Sequence, residues 1–359
     1  MIRTTRACCC GCVGRALLAG LLASWAVIPA SGADDTWQSP PAASGGNIVF
    51  RVVLAEDKDD RPAAAGKAVA ERLKAALGTA PLRAVLVSEC FEDRERKQQL
   101  LDGVCAVFPR HQVFGGATYG SFSQQGCAAF DSVCLAAIGG DGIAVSAALV
   151  TAMGVSTLTF EQHEAQIKER LHAAGGQLAG KLRRSDRDRL AVLVADAHSP
   201  KNQFLVEGLQ KVLGGPFPIV GGSANKNAGQ TFVYFRGQAY QDSAVALLLS
   251  GDFRVSLAGR RAMDNDQVIA TAREGATAAL AGMKDKPFAA LAFNCAGRRG
   301  KLKRPQDEVD AIQSALGREL PLFGCYCAGE VGPLDVVEKP AGVLSGGAGW
   351  HVMYAVLGR

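Results

Sequence analysis

Four side chains toward the end of the chain have types and spacing that could do chemistry: Cys295, Arg298, Tyr326 and Glu330. Two lie in Asn294-Cys295-Ala296-Gly297-Arg298. The others lie in Gly324-Cys325-Tyr326-Cys327-Ala328-Gly329-Glu330-Val331-Gly332-Pro333. Each run closes an apolar stretch that reads as a strand, so neighbouring strands would bring the four side chains to one edge. An arginine fork matches a carboxylate through two parallel hydrogen bonds, and a glutamate pairs with an ammonium. Together they suit a zwitterionic small molecule such as an amino acid. The same residues also fit a structural ion pair across two loops, and the sequence leaves both readings open.

Two Gly-Gly loops add hydrogen-bonding candidates. Gly115-Gly116-Ala117-Thr118 and Gly221-Gly222-Ser223-Ala224-Asn225 would let backbone approach a ligand, with Thr118, Ser223 and Asn225 donating. Close strand packing explains the same glycines. Neither loop has the GxxxxGK[ST] or GxGxxG spacing of a phosphate cradle. Cys325 and Cys327 lie two apart on one strand and face the same side, with Cys295 on the adjacent strand. Free buried thiols, a disulfide and a reactive thiol all fit that pattern. A thiolate metal site would want four ligands at finger-like spacing. Of the five histidines, only His198 and His351 lie near strand ends, where an axial haem ligand would have to sit. A thiol enzyme with Cys295 or Cys325 beside His351 is the alternative to a binding protein.

The elements that position these residues recur. Ala84-Val85-Leu86-Val87, Phe114-Gly115-Gly116, Asp131-Ser132 and Gly140-Asp141 return about 107 residues later as Ala191-Val192-Leu193-Val194, Val220-Gly221-Gly222, Asp242-Ser243 and Gly251-Asp252. A third copy starts at Ala290-Leu291-Ala292-Phe293 and passes through Leu322-Phe323-Gly324-Cys325. A fixed period means related supersecondary units. Each unit reads as strand, helix, strand and hairpin, with the hairpins turning at Gly139–Gly142 and at Gly251-Asp252, where Gly and Asp accept positive φ. The expected fold is α/β, with mixed sheets flanked by helices.

With 359 residues, 48% of them hydrophobic, the chain can bury a large core. Arg3, Arg6 and Arg15 precede a 13-residue apolar run at 16–28, and Ser31-Gly32-Ala33 follows Pro29. This reads as a secretory signal peptide cut after Ala33 and too short to span a bilayer. Its removal takes three arginines from a formal net charge of +5, and the small surplus left argues against a nucleic-acid partner. Seven cysteines remain, an odd number in an oxidising compartment. Residues 34–46, rich in Pro, Ser and Gly, read as a flexible leader.

The GxYxxGExGP stretch at 324–333 follows a strand ending in CxGR at 295–298, and together they resemble the C-terminal part of the FIST sensory domain. The upstream units are similar to its N-terminal part, so the resemblance divides the chain into 47–237 and 238–359. It implies a sensor of small ligands, amino acids among them, that works with a signalling partner; some members are associated with haem. The signal peptide points instead to an exported, non-enzymatic ligand-binding protein with no resident cofactor.

Overall fold

The computed structural model describes residues 35–128, 130–336 and 341–359. The expected signal peptide therefore lies outside the described residues. The first unit contains β1 (Thr36–Gln38), β2 (Val49–Glu56), α1 (Pro62–Leu77), β3 (Leu82–Glu89), α2 (Arg94–Cys105), β4 (Val113–Ala117), β5 (Ser121–Ser123), β6 (Gly126–Cys127) and β7 (Ser132–Gly139). The second contains β8 (Ile143–Val150), α3 (Phe160–Lys181), β9 (Asp188–Ala195), α4 (Asn202–Leu213), β10 (Ile219–Ser223), β11 (Lys226–Asn227), β12 (Gln230–Thr231), β13 (Val233–Phe235), β14 (Gln238–Tyr240) and β15 (Ala244–Gly251). The third contains β16 (Arg254–Arg261), α5 (Asn265–Gly282), β17 (Pro287–Cys295), α6 (Ala296–Lys301), α7 (Pro305–Leu316), β18 (Leu322–Cys327), β19 (Glu330–Gly332), β20 (Gly346–Ala348) and β21 (His351–Gly358).

Three mixed sheets result, with orders β14-β13-β4-β3-β7-β2, β1-β8-β15-β9-β10-β19-β20 and β16-β21-β17-β18-β5-β6. Each is built around one parallel pair: β3/β4, β9/β10 or β17/β18. Each also borrows a pair of short strands from another unit, and the second takes β1 of the first unit as well. β13 and β14 complete the first sheet, β19 and β20 the second, and β5 and β6 the third. The division expected at 237/238 thus falls in the turn of a lent hairpin.

The expected long hairpins are corrected. Their strands form, but β7 and β8 do not pair, nor do β15 and β16. β7 lies between β2 and β3, whereas β8 pairs with β1 and β15. The Gly-Asp turns carry the chain from one sheet to the next. Gly140 takes φ +95°, and a Cβ there would lie 2.1 Å from the Asn47 carbonyl oxygen. Asp141 Oδ1 accepts the Asn47 N–H at 2.6 Å, and Asp252 accepts the Gly45 N–H at 3.3 Å, so both turns grip residues 45–47. The leader is corrected as well: Thr36–Gln38 pairs with β8, and Trp37 packs on His111 and Phe114 of the first unit.

The strands are apolar on both faces because both faces are covered. All three sheets turn one face to a central core that includes Leu86, Phe114, Val192, Leu247, Phe293, Phe323 and Met353. Their outer faces pack on α1 and α2, on α3 and α4, and on α5 and α7. Each fully buried Leu or Phe contributes about 1.5–3 kcal/mol. α2 starts where Asp93 caps the Arg96 N–H at 2.9 Å.

Candidate ligand-binding site

In open α/β sheets, ligands collect outside the carboxyl ends of parallel strands. This chain has three such edges, one per unit, in matching register. Val87, Leu193 and Ala292 stand opposite Gly115, Gly221 and Gly324, so Cys90, Asp196 and Cys295 occupy equivalent places just past the edge. Asp131, Asp242 and Trp350 are also equivalent, each leading into its unit's last core strand at φ +52°, +46° and +63°. Asp tolerates that left-handed backbone, which explains the repeated Asp-Ser; Trp rarely adopts it.

The first edge is packed shut. Glu89 and Lys97 are fully buried with Nζ–Oε1 at 3.2 Å, and the Tyr234 hydroxyl donates to the same carboxylate. Arg299, reaching in from α6, donates to the Tyr119 and Ala128 carbonyls and lies 4.6 Å from the Phe130 ring centroid.

The third edge, where sequence reading placed the ligand, is also closed. Arg298 is fully buried and turns outward to α5 and α7, not toward Glu330. It donates to Glu308 Oε1 at 2.8 Å and 3.1 Å, to the Val268 carbonyl at 2.8 Å and to the Thr271 hydroxyl at 3.2 Å. The Tyr326 hydroxyl reaches the other Glu308 oxygen at 3.3 Å, and burial pushes that phenol well above its ordinary range. Glu330 faces the interior, where one oxygen accepts the His351 N–H at 3.0 Å and the Cys295 thiol contacts the carboxyl. Burial drives the Glu330 carboxyl well above the usual range. The expectation that Arg298 and Glu330 share a rim is therefore corrected: the structural ion pair is real, but its acid is Glu308.

The remaining sequence candidates are engaged internally. Thr118 bonds Ser88 Oγ at 2.9 Å and the Glu89 carbonyl at 3.1 Å. Ser223 donates to the Ala197 carbonyl at 2.7 Å, and Asn225 donates to Asn227 Oδ1 at 2.7 Å. The Gly-Gly loops serve packing, since a Cβ at Gly115 or Gly221 would come 1.9 Å from the carbonyl oxygen of Val87 or Leu193. All seven thiols among the described residues are free. Burial, then Glu330, push Cys295 up to about 12. His351 bonds the Gly349 carbonyl at 2.8 Å and the Asp335 N–H at 3.2 Å, so neither ring nitrogen is left for a haem iron. His198 has a ring nitrogen 2.9 Å from the Ala224 carbonyl and faces a polar wall, which does not fit a haem slot either.

Among the described residues, the second edge opens into a polar hollow of about 410 Å³, and a shallower one of about 300 Å³ lies between the end of β2 and β6. Asp196 and His198 come from the end of β9, and Lys201 from the start of α4. Lys226 and Thr231 come from the β11–β12 hairpin, Asp242 precedes β15, and Ser156 and Thr157 follow β8. Asp242 fixes the wall: its carboxylate accepts the Gly154 and Val155 N–H groups at 2.7 and 3.2 Å, and its own N–H reaches Asp196 Oδ2 at 2.9 Å. Burial raises the Asp196 carboxyl above its ordinary value and lowers the His198 imidazole below its own. Lys201, lowered by desolvation, donates to the Val155 and Leu158 carbonyls, whereas Lys226 is exposed at the rim. A buried carboxyl at the floor with ammonium groups at the mouth is complementary to a small zwitterion. Another hollow, of about 310 Å³, lies at the opposite end of β9, but there Arg184 pairs with Asp188 and Arg187 with Asp252.

Three related α/β units thus surround one core, and the second carries a polar pocket at its strand ends. The FIST N domain matches residues 83–276 and the FIST C domain residues 238–333. The chain belongs to the FIST family, whose domains are sensory. No curated protein shows significant similarity to it. Among solved structures, it is similar to a cyanuric acid hydrolase described as evolutionary innovation by structural concatenation. Identity there is 12% and the TM-score 0.43, over 87% of this chain and 99% of that one. It is also similar to cyanuric acid hydrolase from A. caulinodans, at 10% identity and TM-score 0.44 over 87% and 99% of the chains. Thiamine-monophosphate kinase from Stenotrophomonas maltophilia K279a is more distant, at 11% identity and TM-score 0.21 over 87% and 75%.

Proposed function

We propose that this protein is an exported FIST-type sensor that binds an amino-acid-like molecule at the second-unit mouth and passes its occupancy to a signalling partner. In this reading Asp196, held by the Thr231 side chain, receives the ligand ammonium, Lys226 meets its carboxylate, and the hydroxyls of Ser156 and Thr157 select the remainder. The observation that carries the reading is Asp196. A carboxyl held in a desolvated position beside an open pocket is costly to the empty protein and gains from an arriving cation. We read the site as binding rather than catalytic, because the Cys295 thiol contacts the Glu330 carboxyl and both nitrogens of the His351 ring are engaged away from it, so the thiol has no imidazole base beside it. Export rests on the composition of residues 1–33. Among the described residues, no helix is long and apolar enough to cross a membrane.

The test is a thermal-shift and calorimetric screen of free amino acids against the protein. A specific hit should raise Tm, and Asp196→Asn should abolish the rise while leaving cooperative unfolding intact. Equal binding by the variant would place the ligand elsewhere.

A further inference from the structure

A second feature lies apart from that mouth, on the wall of the central core. Cys325 and Cys327 sit on β18 with their sulfurs 3.5 Å apart and both side chains buried. Two steps along an extended strand separate Cα atoms by about 6.6 Å, within the ~4.4–6.8 Å that a disulfide spans. Both thiols border a small apolar cavity of about 10 Å³, lined also by Phe293 and Phe323, so the sulfurs have slack on one side. Cys327 packs on the backbone of β10, where a Cβ at Gly222 would lie 2.3 Å from its sulfur. Among the described residues, no group of three or more His, Cys, Asp or Glu side chains is placed to hold a metal ion. Cys295, in register beside Cys327, contacts Glu330 instead of this pair.

We propose that Cys325 and Cys327 form a reversible intrastrand disulfide, making β18 a site of two-electron oxidation by a small hydroperoxide. One sulfur, as thiolate, attacks a peroxide oxygen. The O–O bond breaks, water leaves, and that sulfur becomes a sulfenic acid. The second thiol attacks it, the S–O bond breaks, and a second water leaves. The two thiols lose two electrons and two hydrogens, and hydrogen peroxide becomes two waters. The hydrogen bond with Cys325, followed by burial, holds the Cys327 thiol well above its ordinary range, so oxidation should be slow at pH 7 and accelerate as pH rises.

The experiment treats the full chain with hydrogen peroxide at pH 7 and pH 9, then denatures it, alkylates it and maps peptides by mass. The expected product is a peptide lighter by two hydrogens that carries both cysteines and refuses alkylation until dithiothreitol is added. It should form faster at pH 9, be lost in Cys325→Ser and Cys327→Ser, and persist in Cys295→Ser. Full alkylation after treatment overturns the proposal, as does a Cys295–Cys327 crosslink or irreversible sulfinic acid at either position. If the serine variants do not fold, the wild-type mass map decides alone.

Discussion

The second and third units begin from the same strand scaffold and finish their carboxyl edges in opposite ways. In the third, Arg298 and Glu308 pair at 2.8 Å with no exposure, Tyr326 and Thr271 complete the bonding, and Trp350 lies 3.1 Å from where a Gly297 Cβ would be. In the second, the place equivalent to Cys295 holds Asp196, and its loops stand apart around about 410 Å³. Charge density alone does not mark a binding site. The Arg298 guanidinium is closed off between two helices, whereas the Asp196 carboxyl, though it accepts the Asp242 N–H, borders an open hollow, and the proposed reading rests on that difference.

The largest effect should come from breaking the third-unit network. Glu308→Ala leaves a buried, uncompensated Arg298 and should lose about 3–5 kcal/mol in urea unfolding. Replacing both partners, as Arg298→Met with Glu308→Leu, should recover most of that loss. A cost below about 1 kcal/mol for the single change would show a solvated pair of the surface kind. Next in size, Asp196→Asn should eliminate ligand-induced stabilisation without weakening the fold. Because burial raises the folded carboxyl, its proton favours the native state, and that contribution fades as pH rises through the raised value. The empty Asn variant should therefore melt no lower than wild type at pH 7, and somewhat higher if burial alone governs the shift. By the same sign, affinity for an ammonium ligand should fall on acidification as Asp196 takes up its proton, a decline that calorimetry from pH 7 downward would reveal. The smallest change is Tyr326→Phe, which removes one 3.3 Å hydrogen bond to Glu308 and should cost about 1 kcal/mol without touching ligand affinity.

The repeats, the alternation of helix and strand, and most element limits were legible because apolar strands and capped helices are local signals. In α1 (Pro62–Leu77) the helical spacing of Val69, Leu73 and Leu77 marks the buried face. The Gly-Asp turns were correctly seen as sharp, yet a sharp turn does not say whether the next strand pairs back or enters another sheet. That choice is made by distant strands, here β1 and β15 for β8. Arg298 and Tyr326 were found by type, but their partner Glu308 lies on a helix whose register against β18 only the assembled fold reveals. Asp196 was passed over, although one signal was available: aligning the repeats puts a charged residue where the other two units carry cysteine.

The most direct measurement follows the imidazole resonances of the five histidines while a bound amino acid is titrated in, with His198 and His351 assigned by His198→Gln and His351→Gln. Saturable movement of His198, at the second-unit mouth, with His351 unmoved, is the predicted result. Movement of His351 with His198 silent would return the ligand to the third unit and contradict the account.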